Sequence, residues 1–165
     1  MPGSTRVTGS IWCGVLLAIG CPVAAVPPLT PVVVNWQGYS VETPAGYCVE
    51  ARMGPDFVVR YLRAGGAKGP VLAGIYTGYA PDFHPDCAQP VKRTSTRNGL
   101  TVQSVRGADN CAELLFSDPN STGRGFLHIW FGPDAKDHSA LAERLIDSVR
   151  AASKDARSSE PPTCD

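Results

Sequence analysis

Residues Val71–Tyr79, VLAGIYTGY, form an unbroken run of apolar and small side chains closed by Ala80-Pro81. A run this short reads as a strand, with Val71, Ala73, Ile75, Thr77 and Tyr79 on one face and Leu72, Gly74, Tyr76 and Gly78 on the other. Neither face is polar, so both have to be covered, as in the central strand of a sheet. Gly74 and Gly78 lack side chains and leave room for a helix or another backbone to approach their face. Pro81 offers no ladder donor and holds Ala80 extended, which ends the strand.

The flanking segments supply partners for such a strand. Val32–Glu42 reads as a first strand with a bulge or bend at Gly38. Tyr47–Met53 alternates, with Tyr47, Val49, Ala51 and Met53 inward and Glu50 and Arg52 outward, and Phe57–Arg63 follows as a third strand. Thr43-Pro44-Ala45-Gly46 and Gly54-Pro55-Asp56 are the turns between them. Downstream, Val91–Arg106 reads as a hairpin about Asn98-Gly99, a pair that tolerates the positive φ of a two-residue type I′ turn. Ala112–Ser117 and Gly125–Phe131 complete the strands. Asp118–Gly123 between them begins like a calcium loop, but Ile129 stands where a bidentate Glu belongs, so it reads as a polar hairpin loop. His128 sits inside the last apolar strand, where a hydrogen-bonded core histidine is expected. The one helix spans about 138–152, with Leu141, Ala142, Leu145, Val149 and Ala152 as its apolar stripe, Glu143, Asp147 and Arg150 in water, and Asp137 or Ser139 as its cap. The class is α+β: an antiparallel sheet of about six or seven strands with a C-terminal helix packed on one face. Gly and Pro together make 32 of the 165 residues, which suits a loop-rich strand protein.

Residues 1–25 read as a signal peptide: Arg6, an apolar stretch from Ile11 to Gly20, then small residues at Val23-Ala24-Ala25, so that the mature chain begins near Val26. The expected site of action is the periplasm or the exterior. A lipoprotein anchored through Cys21 is the alternative, because Leu17-Ala18-Ile19-Gly20-Cys21 resembles a lipobox. The apolar stretch is short for a membrane span, and no transmembrane segment is expected in the mature chain. Cleavage removes Cys13 and Cys21 from the six cysteines and leaves Cys48, Cys87, Cys111 and Cys164. In an exported chain these read as two disulfides, for which three connectivities exist. Register favours one of them. Counting outward from Asn98-Gly99 brings Cys87 opposite Asn110, and a single bulge near Val102, Ser104 and Val105 would bring it to Cys111, leaving Cys48 for Cys164. Residues 26–152 then form one domain, and the polar tail 153–165 is tied down by Cys164.

Fifteen basic and fifteen acidic residues give zero formal charge, which argues against a general nucleic-acid or membrane-surface binder. No G-x-S-x-G, H-E-x-x-H or phosphate loop is present, and no cofactor is implied. The balance leans away from an enzyme and toward a binding or accessory protein of the cell envelope, with a protein or an envelope component as partner. A periplasmic inhibitor or immunity protein acting on a hydrolase is a specialised form of that reading. Three constellations carry possible chemistry. Asp82, His84 and Asp86 alternate in one loop and could hold a metal or serve a hydrolytic site, although Pro81 and Pro85 equally suit a rigid turn whose carboxylates cap backbone amides. Lys92, Arg93, Arg97 and Arg106 crowd a hairpin with no acidic residue, as an anion-binding surface or as guards of a sheet edge. Tyr76, Tyr79 and Phe83 beside Asp82 could stack on sugar rings.

Two stretches, GYSVETPAGY and FLHIWFGPDAKDHSALAERLIDSVR, resemble PsbP-like domains, the first in a strand entering a Pro-x-Gly-aromatic turn and the second in a last strand feeding a last helix. The chain also resembles small uncharacterised exported bacterial proteins. The resemblance implies an α/β/α sandwich used for docking to protein partners, usually without catalysis. The departures are the four cysteines and the lack of an N-terminal helix.

Overall fold

The computed structural model describes residues 29–36, 38–83, 87–108, 111–121, 125–131, 139–152 and 162–164. The expected leader, His84, Asp86 and the Asp137 cap lie outside these residues.

The protein is built mostly of antiparallel sheet, with one short C-terminal helix. Strands β1 (Leu29–Trp36) and β2 (Tyr39–Pro44) pair as a hairpin about Gly38, whose φ of 93° only glycine adopts without strain. The single bent strand expected over 32–42 is therefore two strands: the chain reverses at Gly38 where a bulge would merely have bent it. Strands β3 (Tyr47–Met53), β4 (Phe57–Ala64), β5 (Val71–Gly78), β6 (Val91–Arg97), β7 (Leu100–Arg106), β8 (Ala112–Ser117) and β9 (Phe126–Phe131) form one seven-stranded sheet in the order β3-β4-β5-β9-β8-β7-β6. The two all-apolar strands, β5 and β9, lie side by side in its middle.

That order makes one connection long. From β5 the chain crosses three strands to reach the far edge at β6, then returns as a meander. Four inter-strand steps are about 19 Å, and residues 79–90 cover them. This crossing segment contains Asp82, and its described residues Ala80, Asp82 and Phe83 lie against one face of the sheet. Its end is anchored: the Ala108 amide donates to the Ala88 carbonyl, and Cys87 is bonded to Cys111. Hairpin pairing runs from Arg97–Leu100 to Val91–Arg106 without a bulge. The offset between Cys87 and Cys111 is absorbed beyond the ladder, where the Gly107 amide turns back to the Cys111 carbonyl. The pairing follows the register expectation, but the bulge does not exist. Val105 shifts face because it is buried from the side opposite to Val102.

One face of the large sheet carries the core. Tyr47 and Val49 of β3, Leu62 of β4, Ala73 and Ile75 of β5, Leu127, Ile129 and Phe131 of β9, Leu114 and Phe116 of β8, and Leu100 and Val102 of β7 are buried together. Ala51 and Met53, expected inward, are exposed, although β3 is paired with β4 along its whole length. Tyr79 leaves the strand and is 61% exposed. Helix α1 (Ser139–Ser148) and the second sheet close the core: Leu141, Leu145, Ile146 and Val149 are buried with Tyr39 and Val41 of β2. Tyr39 is fully buried, and its hydroxyl donates to the Gly125 carbonyl at 2.7 Å, a clasp between the two sheets.

The helix ends at Ser148, not near Ala152. The Ser148 hydroxyl donates to the Leu145 carbonyl at 2.7 Å and accepts the Glu42 amide at 3.0 Å, drawing the last turn onto β2. Residues Arg150–Ala151 then run extended as β10 beside Tyr39 and Ser40. The Asn98 side-chain amide donates to the carbonyls of Asp147 and Val149 at 3.1 and 2.8 Å, so the hairpin turn also caps the helix C-terminus. Cys48–Cys164 pins the tail against β3, where the Val49 amide donates to the Pro162 carbonyl at 2.9 Å and the Cys164 amide to the Val49 carbonyl at 3.2 Å.

Candidate functional site

The second face of the large sheet has a different chemistry. Its side chains are Phe57, Val59 and Tyr61 of β4, Gly74, Tyr76 and Gly78 of β5, Phe126, His128 and Trp130 of β9, and Glu113 and Leu115 of β8. Most are half-buried, and only His128 among the non-glycine residues is buried. Aromatic rings, not a helix or another backbone, fill the room above the glycines. A Cβ on Gly74 would lie 2.1 Å from two indole carbons of Trp130, and one on Gly78 would lie 2.4 Å from the Tyr76 hydroxyl and 2.7 Å from its ring. Trp130 therefore lies across β5, and Tyr76 folds along its own strand and stacks on Phe57 with centroids 5.6 Å apart. Tyr61 meets Trp130 edge-on, and the Arg52 guanidinium sits 5.3 Å from the Tyr61 centroid. Arg52 and Arg63 both bind the Glu50 carboxylate, which holds Glu50 below its ordinary range.

Phe57, Tyr76, Ala80, Asp82, Glu113, His128 and Trp130 enclose a cleft of about 460 Å³ on this face. The crossing segment forms its rim, with Phe83 edge-on to the His128 ring at 5.5 Å and the Ala80 amide donating to the Tyr76 hydroxyl at 3.2 Å. His128 Nε2 lies 2.9 Å from a Glu113 carboxylate oxygen. Burial pushes the imidazole below its usual range, opposed by the Glu113 hydrogen bond and by the negative charges of Glu113 and Asp82. At neutral pH the ring is neutral, so Nε2–H donates to Glu113 and Nδ1 is left as an acceptor. The expectation of a hydrogen-bonded histidine holds, but His128 also borders a hollow. The cleft offers flat apolar rings, two carboxylates and an oriented imidazole. No Ser, Thr or Cys lines it among the described residues.

Of the expected ligand loop, Asp82 is exposed on the rim of this cleft, while His84 and Asp86 lie outside the described residues. Tyr76 and Phe83 converge here as the stacking set requires, and Tyr79 does not line the cleft. Phe57, Glu113 and Trp130 went unnoticed in the sequence. The signal for them was present in Gly74 and Gly78, since a glycine on an apolar strand face is often roofed by a cross-strand ring.

The four basic residues divide between the two faces. Arg93, Arg97 and Arg106 line a hollow of about 750 Å³ on the core side of the β6–β7 hairpin, whereas Lys92 points to the aromatic side. Arg97 pairs with Asp147 and Arg106 with Glu143, tying the hairpin to α1. The basic hairpin is thus partly structural.

Comparison with protein-family models, with curated proteins and with solved structures finds no match for this chain. The two disulfides fit an oxidising compartment, and no helix among the described residues is long and apolar enough to cross a membrane.

Proposed function

We propose that the protein is a non-enzymatic binding module acting outside the cytoplasm, and that its aromatic sheet face binds a saccharide chain of the cell envelope. The observation that supports this most is the pair of rings, Trp130 and Tyr76, laid over Gly74 and Gly78 beside Asp82, Glu113 and His128. A pyranose has one apolar C–H face and a rim of hydroxyls. Flat rings take the first, and carboxylate or imidazole acceptors take the second. A neutral His128 supports the reading, because its Nδ1 accepts from a sugar hydroxyl without drawing anions into the site. The site sits on strands whose register is set by the core on the opposite face, so little ordering remains to be done on binding.

The test is retention on purified envelope glycan, peptidoglycan first, with tryptophan emission read during titration by its soluble fragments. Wild-type protein is expected to bind at both low and moderate salt. Trp130→Ala and Tyr76→Ala, checked for folding by circular dichroism, should each weaken binding about 2- to 13-fold, the range expected for loss of one aromatic contact. Absence of wild-type retention, or equal retention by both folded variants, overturns the reading.

A further inference from the structure

The two edges of the seven-stranded sheet are treated differently. At β3 the backbone is covered by residues 162–164 of the chain itself, held by two backbone hydrogen bonds and the Cys48–Cys164 bond. At β6 the ladder has β7 on one side and no strand on the other among the described residues. Six of its seven residues are exposed, and Val91 presents 54% of its surface. The two-residue turn at Asn98-Gly99 decides which backbone groups are free. Arg97 and Leu100 flank the turn as a hydrogen-bonded pair, so Ser95, Arg93 and Val91 also point their amides and carbonyls at β7. Lys92, Thr94 and Thr96 point theirs outward.

The side chains along this edge are equally one-sided. Residues 91–106 carry Lys92, Arg93, Arg97 and Arg106 and no carboxylate. Asp147 and Glu143 of the helix offset Arg97 and Arg106, and Arg93 has no acidic partner among the described residues. Arg93, Ser95 and Arg97 alternate along the core side and face the 750 Å³ hollow that opens beside the edge.

We infer that β6 is a docking edge for an extended segment of a partner protein with acidic side chains at alternate positions. The segment adds as an eighth strand: its backbone bonds to the outward groups of Lys92, Thr94 and Thr96, and its alternate carboxylates enter the hollow beside Arg93 and Arg97. A second copy of this chain suits the edge less well, because two β6 strands would bring eight basic residues of two hairpins together. This surface is independent of the aromatic face, and either can fail without the other.

The probe is a fluorescein-labelled heptapeptide alternating Glu with Thr and Val, titrated with the full exported protein in anisotropy, alongside a matched peptide with Lys in place of Glu. The Glu peptide is expected to bind, at least tenfold more tightly than the Lys peptide, and to slow hydrogen exchange at the Thr94 and Thr96 amides. Arg93→Glu should weaken it about tenfold. Thr94→Pro, which removes an outward amide that makes no ladder bond, should abolish it without unfolding the protein. Three results overturn the inference: no binding of the Glu peptide, binding with no added protection at Thr94 and Thr96, or concentration-dependent dimerisation that buries those amides in the protein alone. The exchange measurement on the unmutated chain stands even where a variant fails to fold.

Discussion

Gly74→Ala tests the contact on which the aromatic face is built. The added Cβ would sit 2.1 Å from Trp130 carbons, about 1.5 Å inside an ordinary carbon–carbon contact, so the rigid indole has to rise off β5. Overpacking of this kind costs about 1–3 kcal/mol. Against it stands the backbone gain of replacing a strand glycine, about 0.5–1 kcal/mol. Gly74 is not among the positive-φ residues, so alanine accepts its backbone. In the single variant the two effects oppose, with a net loss of up to about 2.5 kcal/mol. In a Trp130→Ala background the clash is gone and only the gain remains. The double-mutant cycle should therefore give a coupling of about 1–3 kcal/mol, with Gly74→Ala changing sign between backgrounds. Urea unfolding of the four proteins, followed by far-ultraviolet circular dichroism, measures it. Equal effects in both backgrounds would refute the reasoning, because Trp130 would then not lie on Gly74.

Three further outcomes follow from the packing. Leu145→Ala, at a fully buried position of α1, should cost about 2–5 kcal/mol in the same melts; a loss below about 1 kcal/mol would show that the helix is not docked on the core. Asn98→Ala should cost about 1–3 kcal/mol, because it removes two hydrogen bonds to the helix end and places alanine at φ 51°. Asn98→Gly should recover only the backbone share, and full recovery would mean that the cap contributes nothing. Burial lowers the His128 pKa below the 6.5 expected for the unfolded chain, so the unfolded state takes up protons first as pH falls. The stability His128 permits is complete above 6.5 and declines below it, and His128→Gln should flatten that slope; an unchanged slope would place the titration elsewhere.

Local patterns were enough to locate most strands, because period-two alternation and turn residues act over a few positions. Asn98-Gly99 placed a hairpin, and VLAGIYTGY and GFLHIWF became neighbouring strands. Register counted from that turn brought Cys87 within one residue of Cys111, and the chain makes up the difference beyond the ladder, where the Gly107 amide meets the Cys111 carbonyl, and not by a bulge. What escaped were features that depend on what lies across the sheet. Gly38 read as a bend because nothing nearby distinguishes bending from reversal. Val149 and Arg150 continued the helix pattern, yet Ser148, Asn98 and the free edge of β2 stop the helix and pull the chain extended. Ile146 lies off the stripe of Leu141, Ala142, Leu145 and Val149, yet it is buried in the same core.

Residue type and short-range spacing were enough to mark the basic hairpin, most strands of the large sheet and two disulfides among four cysteines. The order β3-β4-β5-β9-β8-β7-β6 follows from long-range packing and from no local pattern. That order brings Gly74 of β5 under Trp130 of β9, sets His128 beside Glu113 of β8, and places Ala80, Asp82 and Phe83 at the rim of the same cleft. It also leaves β6 with no strand beyond it among the described residues, while residues 162–164 cover β3. The aromatic surface arises from strands far apart in sequence, and the pairing that unites them is selected by burial of the shared core on the opposite face, an energy no local segment contains.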